Sequence, residues 1–171
     1  MQEVKPTIQL LESKDIQDIA KAFQELGWDK PALQYENYYT EQESGARKVF
    51  VAFVNGSFAG YLTICWSSTY PPFQEANIPE IVDFNVLPKF RRQGIGTTLM
   101  DKAESEIAKV SLVAGIGVGM TPDYGAAQKL YVQRGYIPDG RGVYYRGHYI
   151  KYGEEIIVDD SMAMYLTKEL K

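Results

Sequence analysis

Apolar and polar positions recur along this 171-residue chain at two periods, two residues and about 3.6 residues, and the switches between them mark its elements. Residues 7–12 (Thr-Ile-Gln-Leu-Leu-Glu) read as a short strand. Ser13 stands where a side-chain oxygen caps a helix, Ile16, Ile19, Ala20 and Phe23 supply that helix's apolar stripe, and Gly27 stops it. A second helix is expected from Pro31 to Glu43, with a ragged apolar face of Leu33, Tyr35, Tyr38 and Tyr39. Residues 48–54 (Lys-Val-Phe-Val-Ala-Phe-Val) and 57–66 are strand-rich, and Asn55-Gly56 between them is the favoured two-residue hairpin turn. Residues 67–79, interrupted by Pro71-Pro72, read as a loop, and residues 80–86 as the next strand.

The most informative stretch follows. A buried strand (Asp83-Phe-Asn-Val-Leu87) meets a proline break at Pro88, then a basic, glycine-rich turn (Arg91-Arg-Gln-Gly-Ile-Gly-Thr-Thr98), then a helix whose Ile95, Leu99, Ala103, Ile107 and Val110 lie three or four apart. A strand, a glycine turn and a helix N-terminus in that order present backbone N–H groups and a positive dipole end to an anion. Arg91, Gly94 and Gly96 sit as a phosphate cradle requires, but no Gly-Lys-Ser/Thr follows and the third glycine of a dinucleotide fingerprint is absent. Residues 112–120 form a strand with Gly115, Gly117 and Gly119 on one face, a surface bare enough for another backbone or a flat ligand. Thr121-Pro122 opens a further helix carrying Ala126, Ala127, Leu130, Tyr131 and Arg134, closed by Gly135. Residues 138–160 read as a turn-rich excursion and 161–167 as a final strand. The pattern predicts a mixed α/β (α+β) sheet with helices on both faces, in a single domain over residues 1–171.

Composition narrows the function. A net charge of −4 argues against a nucleic-acid partner and against a polybasic membrane anchor. One cysteine, Cys65, and one histidine, His148, leave no expected disulfide and no metal site. The N-terminus lacks an apolar signal core and no stretch reaches membrane-span length, which points to the cytoplasm. Cys65 reads as a structural residue rather than a nucleophile, and His148, in a tyrosine-rich tail, as a surface residue.

Two motifs together carry a resemblance. Arg91-Arg-Gln-Gly94-Ile-Gly96 after a strand, and Ala127-Gln-Lys-Leu-Tyr131-Val-Gln-Arg-Gly135-Tyr136 on a helix, resemble the signatures of the GCN5-related N-acetyltransferases (GNAT), in that family's order. The resemblance is strong over residues 48–137. It implies the GNAT acyl-CoA N-acyltransferase fold, a central, mostly antiparallel mixed sheet flanked by helices. It also implies acetyl-CoA as cosubstrate and acetyl transfer to a primary amine, on a small molecule or a lysine, by direct attack through a tetrahedral intermediate. Under it, Val86 and Leu87 offer backbone groups to the pantetheine arm, and Arg91, Arg92, Gln93, Gly94, Ile95, Gly96 and Thr97 wrap the pyrophosphate. Thr98 adds a hydroxyl, and Tyr131 protonates the leaving thiolate. The family's frequent cofactor-contacting asparagine is replaced here by Tyr124.

Amine attack needs a proton acceptor. Glu80, which resembles the glutamate base of the histone-acetylating branch, comes first and Asp83 second. Three apart, they face opposite sides of a regular strand unless a bulge intervenes. Trp28, Tyr35, Tyr38, Tyr39 and Tyr70 fall in segments that cover the acceptor in this family. A non-catalytic acyl-CoA-binding module on the same fold and a nucleotide-phosphate-binding protein stay open as alternatives, as do the acceptor's identity and a homodimer.

Overall fold

In the computed structural model, which describes residues 5–171, Asn55 and Gly56 turn the chain with φ of 49° and 77°, the paired positive φ that a two-residue hairpin needs. The turn joins β2 (Arg47–Val54) to β3 (Ser57–Cys65), and β1 (Thr7–Leu10) pairs on the outer edge of β2. Between β1 and β2 run α1 (Ile16–Glu25) and α2 (Ala32–Glu43). A short α3 (Pro71–Glu75) precedes β4 (Glu80–Val86), which leads to α4 (Ile95–Ile107), β5 (Val113–Gly119) and α5 (Gly125–Gln133). The chain ends with β6 (Ile137–Tyr145), β7 (His148–Tyr149) and β8 (Met162–Glu169). The eight strands form one sheet in the order β1-β2-β3-β4-β5-β8-β6-β7. Every neighbouring pair is antiparallel except β4 and β5, which matches the mixed, mostly antiparallel sheet expected.

Helices cover both faces. Ile95, Leu99, Ala103 and Ile107 of α4 are buried against Leu62, Ile64, Ile81 and Ile116, as their spacing predicts, and Tyr131 of α5 joins them. Each of the isoleucine and leucine side chains contributes roughly 1.5–3 kcal/mol by leaving water. Val110, the last residue of the predicted stripe, lies beyond the helix and is exposed. On the other face Phe23 of α1 and Tyr35 of α2 pack on Val49, Val51 and Tyr61.

Several local expectations are corrected. Ser13 makes no cap. It opens a single 3-10 turn in which the buried Asp15 carboxylate accepts the Glu12 N–H at 3.1 Å and the Gln9 amide at 3.2 Å. Thr121 likewise gives its hydroxyl to the Asp123 side chain. The loop at 67–79 contains α3, because Pro71 and Pro72 occupy helix positions whose N–H groups have no partner in any case. Within the supposed excursion at 138–160, β6 runs on along β8. Residues 139–142 bulge out of the ladder, with Gly140 and Gly142 at positive φ, and the strand resumes at Val143.

The bare face of β5 is covered by the chain's own rings. A Cβ added to Gly115 would lie 2.3 Å from the Phe73 ring, one on Gly117 3.0 Å from Tyr165, and one on Gly119 2.4 Å from Tyr124. Tyr165 in turn stacks on Tyr70, centroids 3.6 Å apart and planes 2° from parallel. The flat bodies that the glycines admit are therefore internal.

Candidate active site

The parallel pairing of β4 and β5 lasts for only two rungs, Glu80 with Gly115 and Ile81 with Ile116. Past them the strands part, and the cause lies in β4. Val82 pairs with Thr63 and Asn85 with Tyr61, so Asp83 and Phe84 together face the single residue Leu62. That is a β-bulge, and Asp83 sits in it at φ 55°. Bulges bend and twist a strand, which turns the second half of β4 away from β5. Leu87 donates its N–H to the Ala59 carbonyl at 2.9 Å. Gly60 and Val86 are thus a non-hydrogen-bonded pair, so the Val86 N–H and C=O point away from β3, into the gap. The Val86 carbonyl accepts the Arg91 Nε–H at 3.1 Å. The Val86 N–H has no ladder partner among the described residues. Leu87, expected to offer backbone groups, spends both within the protein, since its carbonyl accepts from Phe90 at 2.9 Å.

The basic turn lies at the end of that gap. Arg92 and Gly94 adopt φ of 60° and 78°, and α4 begins at Ile95 without a side-chain cap. The Thr98 N–H and hydroxyl both donate to the Gly94 carbonyl, at 2.9 and 3.0 Å. The first-turn N–H groups of Ile95, Gly96 and Thr97 have no intrahelical acceptor. Left-handed residues before an uncapped helix N-terminus form an anion-binding concavity. The Ile95 side chain is buried and anchors the helix, whereas Arg91, Arg92 and Gln93 are exposed. Gln93 steadies the turn by donating to the Lys89 carbonyl at 3.0 Å. A Cβ on Gly94 would meet nothing within 4 Å, so glycine there serves the positive φ. A Cβ on Gly96 would lie 3.1 Å from Phe84 Cζ, so this glycine serves the close packing of α4 on β4. These groups fit a diphosphate-bearing ligand: unclaimed donors, positive charge and no carboxylate in the turn.

The bulge also decides where the carboxylates point. Glu80 pairs with Cys65 and Asn85 with Tyr61, positions that share the α1–α2 face of β3. Asp83 reaches the Tyr61 hydroxyl, so it lies on that face too. The exception weighed for a bulge therefore applies, and Glu80 and Asp83 face one side. Their surroundings differ. Glu80 is 8% exposed, accepts a hydrogen bond from Ser68, and has its carboxyl raised above the usual range by burial, against the opposing pull of Ser68 and Arg47. Asp83 accepts from Lys30 and Gln34 (both 2.9 Å), Tyr38 (2.9 Å), Asn85 (2.8 Å) and Tyr61.

Tyr131 belongs to the opposite face. Its ring is 5% exposed and lies 6.2 Å from Tyr136. Burial, and then the neighbouring Tyr124, raise its phenol above the usual value. Among the described residues the buried hydroxyls that are both sealed and unpartnered belong to Tyr35 and Tyr136, not to Tyr131.

The other sequence candidates scatter. Tyr35 and Tyr38 meet edge to face beneath the Asp83 network, and Trp28 stacks on Phe23 at 5.6 Å. Tyr70 belongs to the cluster over β5 and donates to Asp139 at 2.6 Å. Cys65 is half-buried, with its thiol raised by burial. His148 pairs with Glu154 on the surface at 2.5 Å. Sequence reasoning missed Lys30, Gln34, Ser68 and Asn85. None belongs to a motif, although Asn85 lies two residues after Asp83, Gln34 beside Tyr35 and Lys30 two residues after Trp28. A surface hollow of about 390 Å³ lined by Pro71, Pro72, Tyr144, His148 and Tyr149 contains none of the residues expected to bind the cofactor or move a proton. Among the described residues no His/Cys/Asp/Glu group is arranged to hold a metal, and no helix is long and apolar enough to cross a membrane.

Residues 13–136 match the model of the Acetyltransferase (GNAT) family. An uncharacterized N-acetyltransferase of Archaeoglobus fulgidus is 36% identical over 74 residues, which is 43% of this chain and 50% of that protein, so the match spans half the relative's length. Among solved structures, yncA from Salmonella typhimurium, with its cofactor acetyl-CoA, superimposes with a TM-score of 0.69 at 18% identity, covering 97% of this chain and 94% of that one. Ard1 from Thermoplasma volcanium gives a TM-score of 0.71 at 22% identity, covering 98% and 99%.

Proposed function

The chain belongs to the Acetyltransferase (GNAT) family, and on that premise we propose that it transfers the acetyl group of acetyl-CoA to a primary amine by direct attack. The observation that carries the reading is the gap that opens between β4 and β5 after Ile81, ending at an uncapped helix N-terminus. Acetyl-CoA, when bound, supplies an activated acetyl thioester. The N–H groups of residues 92–97 and the exposed Arg91 and Arg92 side chains hold its diphosphate. The Val86 N–H, aimed into the gap, donates to the thioester oxygen and stabilises the charge that develops there.

The two faces of the sheet divide the proton work. Tyr131, on the α5 face, is a phenol that holds its proton at neutral pH even at its ordinary pKa of about 10, and it gives that proton to the departing thiolate; burial raises the phenol further. Glu80, on the α1–α2 face beside the start of the gap, takes the proton of the incoming amine. Its raised carboxyl is a better base than an ordinary one. Ser68 fixes the carboxylate's direction.

The test is thiol release from acetyl-CoA with spermidine, tyramine, n-butylamine, kanamycin and a lysine-containing peptide. Amine-dependent release supports the reading. Tight CoA binding without release from any of them replaces it with a non-catalytic acyl-CoA-binding module.

A further inference from the structure

Asp83 stands beside the candidate base on the acceptor face, and its surroundings assign it different work. A carboxylate offers about four lone-pair sites, and this one already accepts from five donors: Lys30, Gln34, Tyr38, Tyr61 and Asn85. Nothing is left for an amine proton. Three of those donors come from one stretch, the end of the α1–α2 connection and the first turns of α2. Lys30 also lies 5.7 Å from the centroid of Tyr61 and 5.8 Å from that of Phe23. The ion pair is mostly enclosed, the Lys30 and Asp83 side chains being 19% and 16% exposed. Asp83 itself occupies the bulge that parts β4 from β5, at a φ of 55° that costs a non-glycine residue backbone energy.

We infer that Asp83 is a positioning residue whose charged carboxylate, clamped by Lys30, pins the start of α2 to the bulge of β4 and so fixes the acceptor side of the gap. The inference rests on the acetyltransfer reading for its kinetic consequence but not for its structural one. The bulge supplies the local bend, and the pin ties that bend to the helices that form the facing wall. Without the charge, Lys30 loses its anionic partner, and the stretch 28–38 is free to move relative to Val86. The acceptor would then meet the thioester in a broader range of orientations. Small misplacements of this kind lower turnover without touching the groups that move protons.

Two readouts on Asp83→Asn and Lys30→Met test this. Hydrogen exchange reads the pin directly: both variants speed exchange across residues 28–38 while α4 keeps its wild-type protection, and wild-type exchange there in both variants overturns the inference. Kinetics uses the fastest amine of the thiol-release panel. Both variants lower kcat by about 10–100-fold, with KM for acetyl-CoA unchanged and the pH–rate profile keeping its shape, because the proton acceptor is untouched. If Lys30→Met turns over like wild type while Asp83→Asn abolishes activity and flattens the profile, Asp83 is itself the base and the inference fails. Should Asp83→Asn not fold, Lys30→Met carries both readouts. A wild-type protein that releases no CoA with any amine refutes the acetyltransfer reading alone, and the exchange experiment still decides the pin.

Discussion

Removing one oxygen from Tyr131 separates chemistry from folding. In Tyr131→Phe the ring stays, and with it the burial against α4 and the 6.2 Å contact with Tyr136. No described group hydrogen-bonds the hydroxyl, so its loss orphans no buried partner, the usual source of a large cost. Stability should therefore move by less than about 1 kcal/mol, a Tm shift of a few degrees at most for a chain of this length. Turnover should respond very differently. A positioned general acid contributes on the order of 10²–10⁴ in rate, which is roughly 2.7–5.4 kcal/mol in the barrier. KM for acetyl-CoA should change little, because the proposal gives diphosphate binding to residues 92–97 and not to Tyr131. The assay is steady-state CoA release beside a thermal melt of the same preparation. A variant with the wild-type melt and wild-type kcat refutes Tyr131 as proton donor. A variant that loses activity and melting temperature together shows the phenol to be structural.

Further outcomes follow from the same geometry. Gly94→Val forces a β-branched residue into φ 78° and displaces the first-turn N–H groups, so calorimetry should show CoA binding weakened about tenfold or more, the loss of one or two charge-assisted hydrogen bonds. Gly115→Ala drives a Cβ to 2.3 Å from Phe73, and the melt should report a loss of about 1–3 kcal/mol from overpacking. Glu80 has its carboxyl raised by burial, so the unfolded chain sheds that proton at lower pH than the folded one. Its contribution to stability is complete below the ordinary carboxylate value and is lost as pH rises through the raised one. Glu80→Gln should accordingly match the wild-type melt in acid and exceed it at neutral pH, while kcat falls and the acid limb of the pH–rate profile disappears. An unchanged limb would remove Glu80 as the base.

What could be read from residues alone was whatever local chemistry determines. Asn55-Gly56 announces its hairpin because few other pairs tolerate two positive φ angles. The stripe of α4 is legible because its four core positions all meet one face. The turn before α4 is legible as a turn because Gly94 and the helix start act within a few residues. The features that organise the α1–α2 face of β4 are non-local. A period of two sends Glu80 and Asp83 to opposite faces, and only the bulge reverses that. The bulge depends on Asp83 adopting a left-handed backbone that no neighbouring residue type demands. Lys30 and Gln34 reach Asp83 across about fifty residues of chain, and the aromatic residues around them gave no sign of that partner. The glycines of β5 were correctly placed on one face, but their neighbours Phe73, Tyr124 and Tyr165 come from three separate elements. Within residues 138–160 the chain does turn at Gly140, but the ladder along β8 simply continues past it.

The central claim, that the β4–β5 gap and the turn beyond it hold the cofactor, is tested most directly by titrating isotopically labelled protein with CoA and following backbone amide signals. The account predicts that the largest shifts fall on Val86 and on residues 92–97, with the amides of α1 little moved. Shifts concentrated elsewhere, or none at saturating CoA, would contradict it.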